Sequence, residues 1–211
     1  MRIYFIRHGE SEANIQRVFS NRDVKHDLTE KGRTQTEELA VRLNGISFAG
    51  FYTSPVYRAL RTAEILRNRL NLPEPCIDEG LREFDVGIFE GRSDEQSWME
   101  HKTLWEDWLV RGEYEKRHPE GENHYDIRER FGKWLDAAAG EFGKRDVNIL
   151  AVTHGALMMC ALPFALKNLT PGFTFNHLLS NTAIVTAEER EDGFYCMQWD
   201  TLKIETDGSV V

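Results

Sequence analysis

Short apolar runs, each followed by a helix-forming segment, are the pattern that most constrains how this chain of 211 residues folds. Such runs occupy residues 3–6, 48–53 and 147–152. Continuous apolar strands that alternate with helices are typical of α/β folds whose sheet is covered on both faces. We therefore predict a three-layer α/β/α sandwich with a mostly parallel sheet.

The last part of the chain has a different pattern. Residues 182–188 and 194–199 are strand-like and are separated by a turn that contains Asp192-Gly193. Asp-Gly between two strand-like segments is a strong hairpin signal. We predict that an antiparallel C-terminal hairpin extends the sheet.

Helix signals connect the predicted strands. Thr29 is a candidate cap for a helix that ends at about Leu43, and Ser54-Pro55 opens a helix that continues to Leu70. Another helix is expected from near Tyr125 to Phe142. Residues 11–27 are polar and are predicted to form a loop.

We predict one domain over residues 1–211, with a cap-like insertion at about residues 76–124. The pattern in this insertion is irregular and aromatic, which is typical of a segment that covers a site. Trp98, Trp105 and Trp108 fall at helical spacing, which indicates packing first. A wall for an apolar or aromatic substrate group is the alternative.

Composition limits the partners of the chain. The net charge of -9 argues against broad binding to nucleic acid or to anionic membranes. Three cysteines, an odd number at no metal-like spacing, indicate buried thiols in a reducing compartment. The longest apolar stretch, residues 156–166, is too short to span a bilayer, and no leader-like segment precedes the first strand. We therefore expect a cytoplasmic protein.

Two predicted strands end in a histidine followed by a glycine, in Arg7-His8-Gly9 and Thr153-His154-Gly155. Taken alone, such a tripeptide is more often an ordinary strand exit. In open α/β sheets, however, ligands bind at the carboxyl ends of the strands. We therefore expect His8, His154 and the loop after Thr53 to lie along one edge of the sheet.

The residue types at this edge suit a phosphate. A neutral imidazole can attack a phosphorus atom, and a neighbouring guanidinium binds phosphate oxygens as a planar fork. Arg58 lies in the first turns of a predicted helix, where unpaired amide groups also favour anions. Arg61 is expected to be solvated. Arg111, Lys116 and Arg117 form a local basic group that either contacts a second anionic group of a substrate or belongs to a solvated turn.

An ordered series of motifs runs through nearly the whole chain, and it resembles the histidine phosphatase superfamily, the group that includes cofactor-dependent phosphoglycerate mutases. Each motif is modest, but their order is specific. They are Arg7-His8-Gly9-Glu10-Ser11 with Asn14, Leu28-Thr29-Glu30-Lys31-Gly32 with Gln35, Ser54-Pro55-Val56-Tyr57-Arg58-Ala59 with Thr62-Ala63, Leu81-Arg82-Glu83 with Gly87 and Glu90-Gly91, Pro119-Glu120-Gly121-Glu122, Val152-Thr153-His154-Gly155 and Asn181-Thr182.

The resemblance implies catalytic roles. His8 would be the nucleophile that becomes phosphorylated, with Arg7, Arg58 and His154 around the transferred group and His154 as an imidazolium. Glu83 would be the general acid and base. Without the resemblance, Glu83 is one charged residue of an acidic stretch, and Glu79 and Asp85 are fallback candidates.

Asn14 and Ser11 follow the nucleophile and can donate to phosphate oxygens, although both residue types are also common in ordinary loops, and Asn14 ranks above Ser11. Ser20 and Gly155 are further candidates for phosphate binding. The resemblance implies no metal and no cofactor. Two departures from the family pattern affect the rim of the pocket. Ser20-Asn21-Arg22 replaces a segment that usually contains glycine, and Asn123 replaces a common serine.

Several functions remain open at this point. The leading hypothesis is a phosphomonoesterase that acts on small phosphorylated metabolites through a phosphohistidine. The alternatives are a phosphoglycerate mutase and a non-catalytic module that senses phosphate or binds a protein. Retention of both histidines argues against the module. A homodimer that pairs through the edge of the terminal hairpin is a further expectation.

Overall fold

The computed structural model describes residues 1–22 and 25–211. Its strands form one sheet in the order β3-β2-β4-β1-β5-β6-β7. They are β1 (Arg2–Arg7), β2 (Phe48–Thr53), β3 (Cys76–Ile77), β4 (Asn148–Thr153), β5 (Ile184–Arg190), β6 (Gly193–Trp199) and β7 (Leu202–Lys203).

Strands β1 to β4 pair in parallel, while β5, β6 and β7 add antiparallel pairings. The predicted α/β fold and its terminal hairpin are confirmed. The helices are α1 (Glu12–Gln16), α2 (Glu30–Leu43), α3 (Tyr57–Leu70), α4 (Glu95–Glu106), α5 (His124–Phe142), α6 (Gly155–Ala165) and α7 (Pro171–Asn176). A π-helical turn, Asp107–Arg111, continues α4.

Alternate residues of β1 face opposite layers. Ile3 and Phe5 pack in the larger core with residues of α5 and α6, whereas Ile6 packs with residues of α2 and α3. A strand that buries both faces needs a helix layer on each side, as predicted.

Helix α1 corrects the prediction that residues 11–27 are a loop throughout. Ser11 precedes this five-residue helix and forms a capping box with Asn14, which gives the segment local hydrogen bonds. A single turn of this length carries too few apolar positions to show helical periodicity in the sequence.

The insertion begins in the sheet, because Cys76–Ile77 pairs with the end of β2. It continues through two 3-10 turns and α4. Trp108 is fully buried, and its indole N–H donates to the carbonyl of Lys116 (2.9 Å). The predicted packing role therefore holds for this residue. Trp98 and Trp105 are only half-buried.

The three cations of the basic group are paired with acidic side chains of the insertion and of α5. Asp107 accepts from Arg111 (2.6 Å) and from Lys116 (2.9 Å), and Arg117 lies 3.4 Å from Asp126 in α5. These ion pairs agree with the alternative of a solvated turn.

The outer edge of β6 is already occupied. Strand β7 pairs with its end, and the Asn168 side chain donates to and accepts from the backbone of Cys196. A dimer that adds a strand to this edge would have to displace these bonds. Homodimerisation stays an untested prediction.

Two expectations from composition can be compared with the structure. In the described part of the chain, no helix is both long and apolar enough to cross a bilayer. All three cysteines are free, and Cys160 and Cys196 are buried, but Cys76 is exposed. The expectation that all three thiols are buried is therefore wrong for Cys76, which lies on the short edge strand β3.

Gly32 permits a close approach between α2 and the loop after β1. A Cβ atom at Gly32 would lie 1.9 Å from the carbonyl oxygen of Glu10, so the backbone would have to move to make room for it.

We predict that Gly32→Ala lowers the free energy of unfolding by roughly 1–3 kcal/mol, measured by urea denaturation. Gly132→Ala in α5 is the matched control. A Cβ atom at Gly132 would have no heavy atom within 4 Å, so this substitution should raise the free energy of unfolding by about 0.4–1 kcal/mol. Equal effects at the two positions would contradict this account.

Candidate active site

His8 follows β1 directly and is 3% exposed. Its Nδ1 lies 2.7 Å from the carbonyl oxygen of Gly9. A carbonyl can only accept, so Nδ1 carries the hydrogen and Nε2 keeps its lone pair. Burial, followed by the charges of Arg58 and Arg7, lowers the pKa of His8 well below its usual value. His8 is therefore a neutral imidazole with a defined tautomer.

Hydrogen bonds from three parts of the chain hold the backbone around His8. The N–H of His8 donates to the carbonyl of Thr153 at the end of β4 (3.0 Å). The N–H of Gly9 donates to the Thr62 hydroxyl (3.1 Å), and the side chain of Asn181 donates to the carbonyl of His8 (3.2 Å). The position of the imidazole is thus fixed by the sheet edge and by α3.

Arg58 lies in the first turn of α3 and is 5% exposed. Its Nε donates to Nε2 of His8 (2.9 Å), and its two amino groups donate to the carbonyl of Ser20 and to the side-chain oxygen of Asn21. Burial lowers the pKa of Arg58 to about 10, so the guanidinium is still charged at neutral pH. A fixed positive charge therefore lies directly beside the lone pair of His8.

Arg7 is the second guanidinium of the site. It donates to the carbonyl of Leu179, and its Nε is buried without a hydrogen-bond partner in the described residues. A Cβ atom at Gly155 would lie 3.1 Å from this Nε. Gly155 thus leaves room for the Arg7 side chain at the start of α6.

His154 is fully buried, and its ring centroid is 5.2 Å from that of His8. Its Nε2 lies 2.7 Å from the Ser54 hydroxyl, whereas its Nδ1 is buried without a hydrogen-bond partner in the described residues. Burial, followed by the charge of Arg58, lowers the pKa of His154 well below its usual value. Burial and the nearby guanidiniums thus favour the neutral ring in this structure, whereas the imidazolium is predicted for the state with a phosphoryl group bound.

Glu83 is 8% exposed, and its side chain contacts the N-terminal end of α6. Its carboxyl oxygens accept from the backbone N–H groups of Ala156 (3.3 Å) and Phe84 (3.2 Å). Burial raises the pKa of Glu83, although Arg58 opposes the rise. A carboxyl group in this environment keeps a proton at higher pH than an exposed one.

A cavity of about 500 Å³ joins these groups. Arg7, His8, Arg58 and Glu83 line its polar part. Trp98, Trp105 and other apolar side chains line the rest. These two tryptophans thus lie where the alternative prediction, a wall for an apolar or aromatic substrate group, would place them. Glu79 and Asp85, the fallback acids, do not line the cavity but pair with Arg82 (3.4 Å) and Arg22 (2.7 Å).

The predicted phosphate-binding residues have different positions. Asn14, Ser20 and Gly155 line the cavity. The oxygen of the Asn14 amide accepts from Ser11, which leaves its NH₂ group to face a ligand. Ser11 is fully buried, caps α1 and does not line the cavity, so the structure does not support it as a phosphate ligand. His154 does not line the cavity either, although its ring centroid is only 5.2 Å from that of His8, which does.

Three residues that the sequence did not single out position the candidate catalytic groups. Asn21 accepts from Arg58, while its own backbone N–H donates to the Glu90 carboxylate (3.0 Å). Ser54 contacts His154, and Thr62 links Gly9 to the carbonyl of Arg58 (2.9 Å). Ser54 and Thr62 belong to the motifs quoted above, and Asn21 is one of the departures, but no spacing rule gives their partners. Across residues 1–22 and 25–211, no group of three or more His, Cys, Asp or Glu side chains is placed to hold a metal ion.

Arg61 gives a useful contrast with Arg58. It lies less than one turn further along α3 and pairs with Asp27 (3.4 Å) and with Glu64, away from the cavity. It is only partly exposed, at 29% of its side chain. The expectation that Arg61 stays outside the site agrees with this position.

Comparisons with known proteins give one family. A model of the histidine phosphatase superfamily (branch 1) matches residues 3–201. A probable phosphoglycerate mutase, GpmB of Cronobacter sakazakii, is 30% identical over all of this chain and 94% of that protein. YhfR of Bacillus stearothermophilus has a solved structure with a TM-score of 0.77 at 26% identity, covering 99% of this chain and 98% of that one.

A second solved structure has a similar fold at lower identity. The mycobacterial glucosyl-3-phosphoglycerate phosphatase has a TM-score of 0.81 at 21% identity and covers 94% of this chain and 98% of its own. At this identity the likeness concerns the fold. The family match over nearly all of the sequence, together with the 30% identical relative, establishes that this chain belongs to the histidine phosphatase superfamily.

Proposed function

We propose that the protein is a phosphomonoesterase that hydrolyses small phosphorylated metabolites through a phosphohistidine at His8. One observation carries the proposal. The neutral Nε2 of His8 lies 2.9 Å from a charged guanidinium and lines the same cavity as a carboxyl group with a raised pKa. Nucleophile, fixed positive charge and proton donor are the groups that phosphoryl transfer to an enzyme needs.

In the first step, the lone pair of His8 Nε2 forms a bond to phosphorus while the bond from phosphorus to the ester oxygen breaks. Glu83 gives its proton to the leaving oxygen, so the alcohol departs neutral and Glu83 becomes a carboxylate. The N–H at Nδ1 of His8 continues to donate a hydrogen bond to the carbonyl of Gly9, and this bond stabilises the positive charge of the phosphorylated ring.

In the second step, a water molecule attacks phosphorus and the bond from phosphorus to Nε2 breaks. The Glu83 carboxylate takes a proton from that water, which restores both residues and releases phosphate. The two steps balance because the same carboxyl group gives and then recovers one proton.

Fixed charge stabilises the transferred group. Arg58 donates to Nε2 of His8, and it would donate to the phosphoryl oxygens once phosphorus approaches that atom. Arg7 and the NH₂ group of Asn14 line the same part of the cavity. The Ser54 hydroxyl accepts from Val56 and lies 2.7 Å from His154 Nε2. Donation of this hydroxyl to Nε2 would place the ring hydrogen on His154 Nδ1, which could then donate to a phosphoryl oxygen on His8. A bound dianion would raise the pKa of His154 towards the imidazolium.

Phosphoglycerate mutase is the second candidate, and the name of the 30% identical relative favours it. A mutase needs cations for the carboxylate of its substrate. Apart from Arg7 and Arg58, the only Lys or Arg among the described residues that line the cavity is Lys102. Its side chain is 76% exposed, and its Nζ is 3.8 Å from Glu106. A single solvated lysine is a weak carboxylate site, which supports hydrolysis over transfer.

The remaining expectations belong to the same proposal. Residues 76–124 act as a cap on a single domain, since α4 supplies Trp98 and Trp105 to the cavity. The excess of acidic residues does not favour nucleic acid or anionic membranes as partners. Three free cysteines fit a reducing compartment, which supports a cytoplasmic location.

His8→Ala tests the proposal directly. It should lower kcat/KM for p-nitrophenyl phosphate, assayed with a metal chelator present, by about a thousandfold or more. The wild-type protein, quenched during turnover, should carry an acid-labile phosphate on the peptide that contains His8. His177→Ala is the control and should keep full activity, because His177 does not line the cavity.

Unaltered hydrolysis by His8→Ala would refute the mechanism and would leave a binding module as the better hypothesis. Rapid isomerisation of 3-phosphoglycerate with a bisphosphoglycerate primer, with little free phosphate, would instead identify a mutase.

The pH profile tests Glu83. The first step needs neutral His8, so activity is lost only below the lowered pKa of His8, on the acid side. It also needs protonated Glu83, so kcat/KM falls as pH rises through the raised pKa of Glu83. Glu83→Gln should lower kcat/KM for alkyl phosphates by about 10²–10⁴ and abolish this alkaline decline. It should lower kcat/KM for p-nitrophenyl phosphate less, because nitrophenolate leaves without a proton and the attack of water comes after the steps that kcat/KM reports. Equal losses in kcat/KM for both esters would rule out Glu83 as the acid.

A further inference from the structure

The apolar part of the cavity is built from stacked rings that continue directly from the phosphate-binding residues. Phe19 precedes Ser20, whose carbonyl accepts from Arg58, and Phe84 follows Glu83. Phe19 stacks on Trp98 with ring centroids 4.2 Å apart, and Phe84 stacks on His101 at 5.4 Å. We call these four side chains the aromatic wall. It begins where the polar groups end, so it faces the alcohol part of a bound ester.

Two polar atoms of the aromatic wall contact other protein groups rather than a ligand. The indole N–H of Trp98 donates to the carbonyl of Arg17 (2.7 Å). The Nδ1 of His101 lies 3.1 Å from Nε2 of His118, and burial lowers the pKa of His101 to about 3, so this ring is neutral. The four rings themselves are uncharged and mainly apolar, and a charge, the Arg17 guanidinium, lies beside the Trp98 ring, 5.5 Å from its centroid.

This chemistry selects among alcohols. A sugar or glycerate group would lose hydrogen bonds to water without regaining them, and an unpaired buried polar group costs about 1–3 kcal/mol. A planar apolar group would bury its surface and stack on the rings. We propose that, given the phosphatase activity proposed above, the substrates are phosphate monoesters of aryl or arylalkyl alcohols, and that Trp98 determines this specificity.

Two esters isolate the contribution of the ring. Ethyl phosphate and 2-phenylethyl phosphate have leaving alcohols of similar acidity, so the chemical step is matched. Wild-type kcat/KM should favour 2-phenylethyl phosphate by at least about tenfold. It should also exceed kcat/KM for glucose 6-phosphate and 3-phosphoglycerate. Equal values for the two matched esters, or a preference for either polar substrate, would overturn the proposal.

Variants assign the effect to Trp98. Trp98→Leu keeps apolar bulk without a ring and should lower the ratio of the two kcat/KM values about three- to tenfold. Trp98→Phe keeps a ring and should preserve most of the ratio. Met99→Ala is the matched control, because Met99 is the next residue of α4, is 58% exposed and does not line the cavity. An unchanged ratio in Trp98→Leu would remove Trp98 as the determinant.

A binding measurement separates this proposal from the proposed activity. If the wild-type protein hydrolyses neither of these esters nor p-nitrophenyl phosphate, the phosphatase proposal fails. Calorimetric titration of both esters into the His8→Ala protein, which needs no turnover, then decides the specificity. Binding of 2-phenylethyl phosphate at least about tenfold tighter than ethyl phosphate would support the aromatic site. Equal affinities would overturn it.

Discussion

The hydrogen bond from His8 Nδ1 to the carbonyl of Gly9 is the interaction on which the site depends. It fixes the tautomer, so the lone pair lies on Nε2, the atom beside Arg58. The geometry of that bond is set by the residues that hold the Gly9 backbone, namely Thr62 on α3 and the close approach of Gly32 on α2. A reactive imidazole is therefore a product of the packing between the end of β1 and two helices.

Electrostatic balance is the second constraint. Two guanidiniums and two imidazoles lie close together in a buried site, and the neutral state of both imidazoles limits the repulsion to that between Arg7 and Arg58. Glu83 has a raised pKa in the same environment. The positive charge of the site is thus concentrated on the arginines, whose guanidiniums cannot easily lose it. Such an arrangement of fixed positive charge favours a phosphate dianion.

Much of this architecture could be predicted from the sequence, because strand and helix patterns are local and parallel topology brings strand ends together. His8, His154 and Arg58 follow from that rule and from the family motifs. The partner of His8 Nδ1 could not be predicted, since it is a backbone carbonyl. Helical spacing predicted packing for three tryptophans, but only Trp108 is fully buried, because spacing does not reveal which side of α4 faces the cavity. The neutral state of His154 depends on burial, which no motif records, and Ser11 caps a helix too short to be recognised.

Long-range ¹H–¹⁵N correlation spectroscopy of the histidine rings tests the central claim most directly, because it reports which ring nitrogen carries the hydrogen. The account predicts that His8 stays neutral with its hydrogen on Nδ1 from about pH 6 to about pH 8, where an exposed histidine titrates. Assignment of the His8 resonances follows from their loss in His8→Ala. A hydrogen on Nε2, or an imidazolium in this range, would contradict it.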